Sequence, residues 1–486
     1  MRGTRAVAFF TALLPLAASA RAQADYRVYE DHPRIFLEPE RLVRLRRDVD
    51  RQSLRWRALH DVIGTGADFE EQPLVDALLY QTEGDAHAGR RAVQWCLASA
   101  PDGVGSSAEL RMLALAYDWC HDLFDPADKA AVGGAMASAI EEVVPRANVG
   151  PGLVRAAILG SIALAGDWDG SEAALGALLE THWEADVRPG LEDGRMADDA
   201  GAMVAALEAG LAVRHNLDRD LLKPGFAALR ALARCRLLSY YPADIETAEG
   251  RMRRHSRFGP DEAAARLQAP LDRIVEMLIV AYEANLREFQ FVQGWIRDEA
   301  YLPRSTLLAP YEFLWVNPYL PGLTAESSPL IAHDSVRGRL FGRATWQWPT
   351  TWIGYSDGRL EILAGGELSA TESMGGLSPV FFEEAVVVPI RPPGRVVLSW
   401  EPSRDEAPES VTVYLIGLVE GETYGLRIAG REPRLIRAGP GGIAIVRSDP
   451  GVPRRDRIDF RRRVRLDLQP TLKPTRPGRP PPSLTR

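Results

Sequence analysis

DHPRIFLEPERLVRLRRDVDRQSLRWRALHDVI, residues 31–63, is the stretch whose reading decides the fold. A His-Pro-Arg-Ile-Phe-Leu opening leads into Pro39, and Leu42, Leu45, Leu54, Trp56 and Leu59 then recur at helical spacing. The pattern predicts one long amphipathic helix over 39–63. Working outward, the same period marks helices over 73–81, 87–98, 108–123, 172–182, 200–213, 221–239 and 270–284. Asp125-Pro126 reads as an N-cap followed by proline at the first helical position, opening a helix to about Val144. Residues 153–165, LVRAAILGSIALA, are apolar nearly all round, as an inner, buried helix requires. Short breaks between these helices imply antiparallel neighbours.

Upstream, Arg2 and Arg5 precede the apolar run 6–17, AVAFFTALLPLA, and small residues stand at Ala18, Ala20, Ala22 and Ala24. This is the pattern of an export signal, cut after Ala24, although an uncleaved anchor has the same outline. The expectation is a secreted or periplasmic protein with signal peptide 1–24 and no later transmembrane segment. A formal charge of −8 argues against a nucleic-acid partner. Cys96, Cys120 and Cys235 allow at most one bridge; Cys96 with Cys120 is conceivable, and buried thiols are the simpler reading. With no C-x-x-C and no clustered Cys/His set, neither a metal nor a cofactor is expected.

About 460 mature residues exceed one ordinary domain. Beyond residue 325 the helical period gives way to short strands separated by Asp357-Gly358, Gly365-Gly366 and Pro393-Gly394 turns. The tail 469–486 is rich in proline and arginine and lacks the apolar content to fold. From Gly451 onward eleven basic residues face three acidic ones, suited to solvent or to an anionic glycan.

The 31–63 stretch, LALAYDW (113–119) and LGSIALAGDW (159–168) together resemble the helical domain of heparinase II/III-type and alginate-type polysaccharide lyases. The resemblance implies a multidomain α+β chain: an incomplete α/α toroid over 25–324, then an antiparallel β-sandwich over 325–468. It also implies an acidic, uronate-containing polysaccharide as partner and β-elimination as the reaction. That reaction needs donors that neutralise the substrate carboxylate, and a Tyr or His pair to move protons. Family members carry an Asn-His pair at the start of an inner helix and a Tyr entering the next. Here Asn148 fits the first position, but Val149 follows it, and 184–214 contains neither Tyr nor His. Asn148 as a cap for the helix near Pro151 is the plainer account, and Asp198-Asp199 suit a helix N-terminus without chemistry.

The remaining candidates fall in three regions. In 237–259, Tyr240 and Tyr241 end a helix and a polar loop carries Arg251, Arg253, Arg254, His255 and Arg257. Arginines there suit carboxylate or sulfate groups, and His255 is the best candidate base; a solvated loop explains them equally. In 311–323, Trp315, Asn317 and Tyr319 offer sugar stacking and hydrogen bonds, or interdomain packing. His333 stands where a relative sets its second-domain histidine. Trp346, Trp348 and Trp352 are either sheet core or an aromatic platform. If the chain is a lyase, Asn148, Tyr240 or Tyr241, His255 and His333 share one groove. If it is a degenerate glycan-binding protein of the same fold, the groove is lined by arginine and tryptophan with no Tyr/His pair within hydrogen-bond reach; a purely structural envelope protein has no such groove.

Overall fold

In the computed structural model, helix starts are set by side chains that accept the first free backbone N–H groups. Ser53, Asp85, Ser106, Asp125 and Asp199 all do so. The structure describes residues 26–29, 31–247, 250–256, 261–298, 305–347, 349–382, 385–392, 394–398, 412–428, 433–447 and 464–470. The export signal, Arg257, Trp348 and most of the Pro/Arg-rich tail lie outside these residues.

The 31–63 stretch makes two helices rather than one, α1 (Pro39–Asp50) and α2 (Leu54–Gly64). Gln52 turns left-handed (φ 48°) and Ser53 restarts the helix by capping Trp56 N–H. Then come α3 (Gln72–Glu83), α4 (Ala86–Ser99), α5 (Ser107–Trp119), α6 (Pro126–Val143) and α7 (Pro151–Ala163). The chain continues through α8 (Ser171–Ala177), a π-helical stretch (Leu178–Val187), α9 (Arg188–Glu192), α10 (Ala200–Leu217) and α11 (Phe226–Arg236). Lys223-Pro224-Gly225 delays the start of α11, which the sequence puts near residue 221. After a hairpin of β1 (Tyr240–Thr247) and β2 (Gly250–His255) follow α12 (Glu262–Tyr282), α13 (Arg287–Asp298) and α14 (Leu308–Trp315). None of the described helices is long and apolar enough to cross a membrane.

The most apolar helices are the most deeply packed. Every residue of α5 from Leu110 to Trp119 is buried, as is all of α14. α5 packs on α7, α7 on α10, α10 on α12, and α12 on α14; α14 meets α2, and α3 joins α1 to α5. At the helix ends the caps add smaller terms. Asp125→Ala removes acceptors for the N–H groups of Ala127 and Asp128 and is expected to cost about 1 kcal/mol, read by urea unfolding.

The strands follow. β3 (Ile331–Asp334), β4 (Arg339–Arg343), β5 (Trp352–Ser356), β6 (Arg359–Ala364) and β7 (Glu367–Thr371) form an antiparallel sheet in chain order. The next eight are β8 (Val380–Phe381), β9 (Ala385–Pro389), β10 (Gly394–Leu398), β11 (Thr412–Ile416), β12 (Thr423–Ile428), β13 (Arg434–Arg437), β14 (Ala444–Arg447) and β15 (Val464–Pro470). They divide into two four-stranded sheets, ordered β14-β11-β9-β8 and β10-β15-β12-β13. One pair departs from the antiparallel expectation: β9 and β11 run parallel, because the chain between them passes through β10 in the other sheet.

The sheet containing β9 is covered on both faces, so β9 is buried along its whole length. Val386 and Val388 pack with Tyr424 and Leu426, while Val387 packs with Leu340, Ile353 and Leu360. The β3–β7 sheet turns its other face to the helices through Phe341, Trp352 and Leu363, against Leu238 and Tyr241. Trp352 is fully buried and donates to the Leu238 carbonyl at 2.7 Å. Trp346, partly buried, packs against the same cluster, so these two indoles pack between sheet and helices and form no open platform. All three cysteines are buried free thiols.

Candidate functional site

Tyr240 and Tyr241 begin β1 where the chain leaves α11, and His255 ends β2. The polar loop expected here is a hairpin, with Asp244 opposite Arg253 and Glu246 opposite Arg251 in backbone register. Its base is buried against α11 and α12. The Tyr240 and His255 rings stack at 3.7 Å, and His255 Nδ1 lies 2.8 Å from Ser239 Oγ. Arg236 pairs with Asp272 at 3.2 Å and Glu276 at 3.1 Å, and Tyr240 donates to Glu276 at 2.5 Å. Burial, and next the Glu276 carboxylate, push the Tyr240 phenol far above its ordinary value. Tyr241 donates to Glu361 at 2.8 Å beneath the Arg254 guanidinium; burial and that bond raise its phenol too. A general base needs the opposite shift.

Space at this junction is small. The cavity bounded by Arg236, Ser239, His255, Asp334, Arg337 and Arg339 holds about 40 Å³, room for a water molecule rather than a sugar. Asp198 binds two of the arginines that line it, Arg337 and Arg339, the latter at 2.8 Å. Asp198 stands just ahead of α10. Asp199 is the N-cap of α10, as a helix-start aspartate should be.

The other candidates do not join Tyr240 and His255. Asn148 is exposed with φ 56° and is not the cap of α7; Gly150 holds that position. Val149 is buried, its N–H bonded to Asp186. His333 lies on β3 beside Tyr414, and burial lowers its pKa. Trp315 is buried under Arg41 at 4.4 Å, which makes it a packing residue. Asn317 accepts the Tyr319 N–H, and Tyr319 is exposed.

A second network escaped the sequence reading. Arg111 and Arg155 each lie about one turn into α5 and α7, and Glu208 lies midway along α10. Arg111 forks onto both oxygens of Glu208, at 2.8 and 2.7 Å, and Arg155 reaches the same carboxylate at 2.9 Å. Arg111 also contacts Glu71 at 3.1 Å and Tyr311 Oη at 2.6 Å, and Tyr311 donates onward to Glu71. Glu208 has no exposed side-chain surface, whereas Arg155 and Glu71 are 14% and 24% exposed. The network is therefore sealed at Glu208 and open at Arg155 and Glu71. Burial alone would raise the Glu208 carboxyl; the two guanidinium groups overcome it and hold it below the ordinary value. Burial outweighs Arg111 at Tyr311, whose phenol is pushed far up. Arg155 Nε is buried without an acceptor. The available signal was a lone charge inside an apolar helix, Arg155 in LVRAAIL and Glu208 in VAALEAG, which must be paired to be buried.

The chain matches no protein-family model and no curated protein sequence.

Proposed function

We propose that the chain is an exported, secreted or periplasmic, protein that binds acidic polysaccharide on a heparinase II/III-like scaffold without cleaving it. The scaffold would be an incomplete α/α toroid followed by a β-sandwich. Support for the toroid comes from the packing order of α5, α7, α10, α12 and α14 and the return through α2, α1 and α3. Support for the sandwich comes from the apolar clusters on both faces of the β9 sheet.

The observation that carries the functional reading is the state of the phenols. Tyr240, Tyr241 and Tyr311 each donate to a carboxylate, Glu276, Glu361 and Glu71 respectively. Such bonds stabilise the protonated phenol, so none is prepared to abstract a proton beside a uronate carboxylate. Binding asks less. The first turn of α7 offers a partial positive charge, the exposed Asn148 ahead of it and the partly exposed Arg155 behind it.

The test is to incubate the purified chain with heparan sulfate, alginate, hyaluronan and pectate, following both binding and the ultraviolet absorbance of unsaturated uronate. Binding without absorbance is expected. Arg155→Ala should weaken it about tenfold or more, equivalent to at least ~1.4 kcal/mol, and Asn148→Ala should weaken it less. The lyase reading keeps one observation in its favour, the Tyr240–His255 stack. An absorbance rise abolished by His255→Ala would replace the binding reading with it.

A further inference from the structure

At the opposite ends of the same two inner helices, three potential ligands meet from distant parts of the sequence. His32 precedes α1, His121 follows α5, and Asp167 follows α7. One ligand atom from each lies within 4.8 Å of the others, and the two imidazoles stack at 3.7 Å. We propose that His32, His121 and Asp167 form a zinc-class divalent metal site at the C-terminal ends of α5 and α7.

The surrounding groups prepare the histidines for this. Asp118 has no exposed side-chain surface; it accepts the Arg34 and Ile35 N–H groups and lies 2.6 Å from His32 Nδ1. Arg34 Nη2 is 2.5 Å from His32 Nε2. A guanidinium can only donate, so Nε2 carries the lone pair and Nδ1–H points to Asp118. A buried carboxylate holding one ring nitrogen so that the other can ligate is the arrangement found behind metal-bound histidines. His121 Nε2 is 2.8 Å from Asp167 Oδ2, which also accepts Tyr117 Oη–H at 2.8 Å. The Lys129 ammonium is 3.3 Å from His121 Nδ1.

Charge and access favour a cation as well. The carbonyl ends of α5 and α7 carry partial negative charge. Arg34 already serves the α7 end, donating to the carbonyls of Ile162 and Ala165 at 3.4 and 2.9 Å. His32, His121 and Asp167 are 13%, 19% and 30% exposed, so an ion can enter at the edge of the stacked pair. There it would displace the Arg34 edge from His32 Nε2 and enter between His121 Nε2 and Asp167, moving the His121 proton to Nδ1, where it faces Lys129. Ligand atoms around zinc sit on the order of 3.4 Å apart, so separations of up to 4.8 Å in the trio must shorten while the 2.8 Å His121–Asp167 pair opens. Two imidazoles and a carboxylate select zinc-class ions over magnesium or calcium, and three protein ligands leave a coordination position for water.

The experiment is calorimetric titration of the tag-free, chelator-treated full chain with zinc chloride. Saturation at one ion per chain is expected, with His121→Ala and Asp167→Ala each weakening binding about tenfold or more, and Asp118→Asn about 10–100-fold. Lys129→Met should tighten it, because a competing cation is gone; this variant removes no ligand, so it decides the matter if others lose their fold. His60→Ala, at a histidine paired with Glu83, should change nothing. Far-ultraviolet circular dichroism establishes that each variant is folded. No saturation at one equivalent, equal affinity for magnesium, unaltered zinc binding in both His121→Ala and Asp167→Ala, or, where those variants do not fold, unaltered zinc binding in Lys129→Met would overturn the proposal.

Discussion

Glu208→Ala is expected to lower the unfolding free energy by about 3–5 kcal/mol, a large part of the roughly 5–15 kcal/mol available to a natural protein. The carboxylate is fully buried, and both Arg111 and Arg155 converge on it. Arg111 is 3% exposed, so without Glu208 its charge is left in the core with only the half-exposed Glu71 as counter-ion. Urea unfolding by circular dichroism measures the cost. Arg146→Ala is the natural control, since its pair with Glu142 is solvent-exposed and should be worth at most about 0.5 kcal/mol. Arg111→Met combined with Glu208→Leu should be less destabilised than Glu208→Leu alone, because the double variant removes the more deeply buried of the two guanidinium charges left without Glu208. The pH dependence has a definite sign. The folded-state value of Glu208 lies below its unfolded value, so its contribution is complete above the ordinary glutamate range. That contribution is lost as pH falls through the depressed folded value. Glu208→Gln should remove this part of the acid-induced loss. A cost under about 1 kcal/mol would mean that water reaches Arg111.

How far the sequence led can be judged from particular residues. Asp125-Pro126 set the start of α6, because a cap and an N1 proline act through local geometry alone. The all-round apolar run 153–165 likewise marked a buried helix. The β1–β2 hairpin was not legible: a run as charged as 244–254 reads as solvated loop, and its pairing depends on α11 and α12 bringing its base into the core. The parallel β9–β11 pair was hidden for a related reason, since strand direction depends on where β10 goes and a single strand carries no such mark. Site residues were harder still. His32, His121 and Asp167, and Arg111, Arg155 and Glu208, come together only across separate helices, so neither group has a spacing to recognise. Tyr240 and His255 were legible as a pair of chemically able residues. Their burial, which changes what that chemistry can do, was not.

Arg236→Met should be as costly as the loss of Glu208, about 3–5 kcal/mol, and should loosen the contact between helices and sheet. Methionine keeps much of the side-chain volume, so the effect isolates charge. Arg236 is 3% exposed and lies between Asp272 and Glu276, themselves 2% and 1% exposed. Arg273 also reaches Glu276, at 3.1 Å, so one carboxylate retains a partner while Asp272 loses its Arg236 contact. The two sides of the junction share this network: Arg236 ends α11, Tyr240 begins β1, and Tyr241 reaches across to Glu361 on β6. Intrinsic fluorescence gives a local readout, because Trp295 lies 6.1 Å from Tyr240 and Trp352 lies 4.9 Å from Tyr241. Adding Glu276→Gln should recover part of the loss, since the amide removes a buried charge that has lost one of its arginines and still accepts the Tyr240 hydroxyl. A deficit below about 1 kcal/mol would require these carboxylates to be hydrated in solution. Tyr240 and His255 would then be open to a polysaccharide chain, and the Tyr240–Glu276 bond would no longer stand against elimination. A deficit of the expected size would support the view that the residues best suited to lyase chemistry are committed to holding the two parts of the chain together.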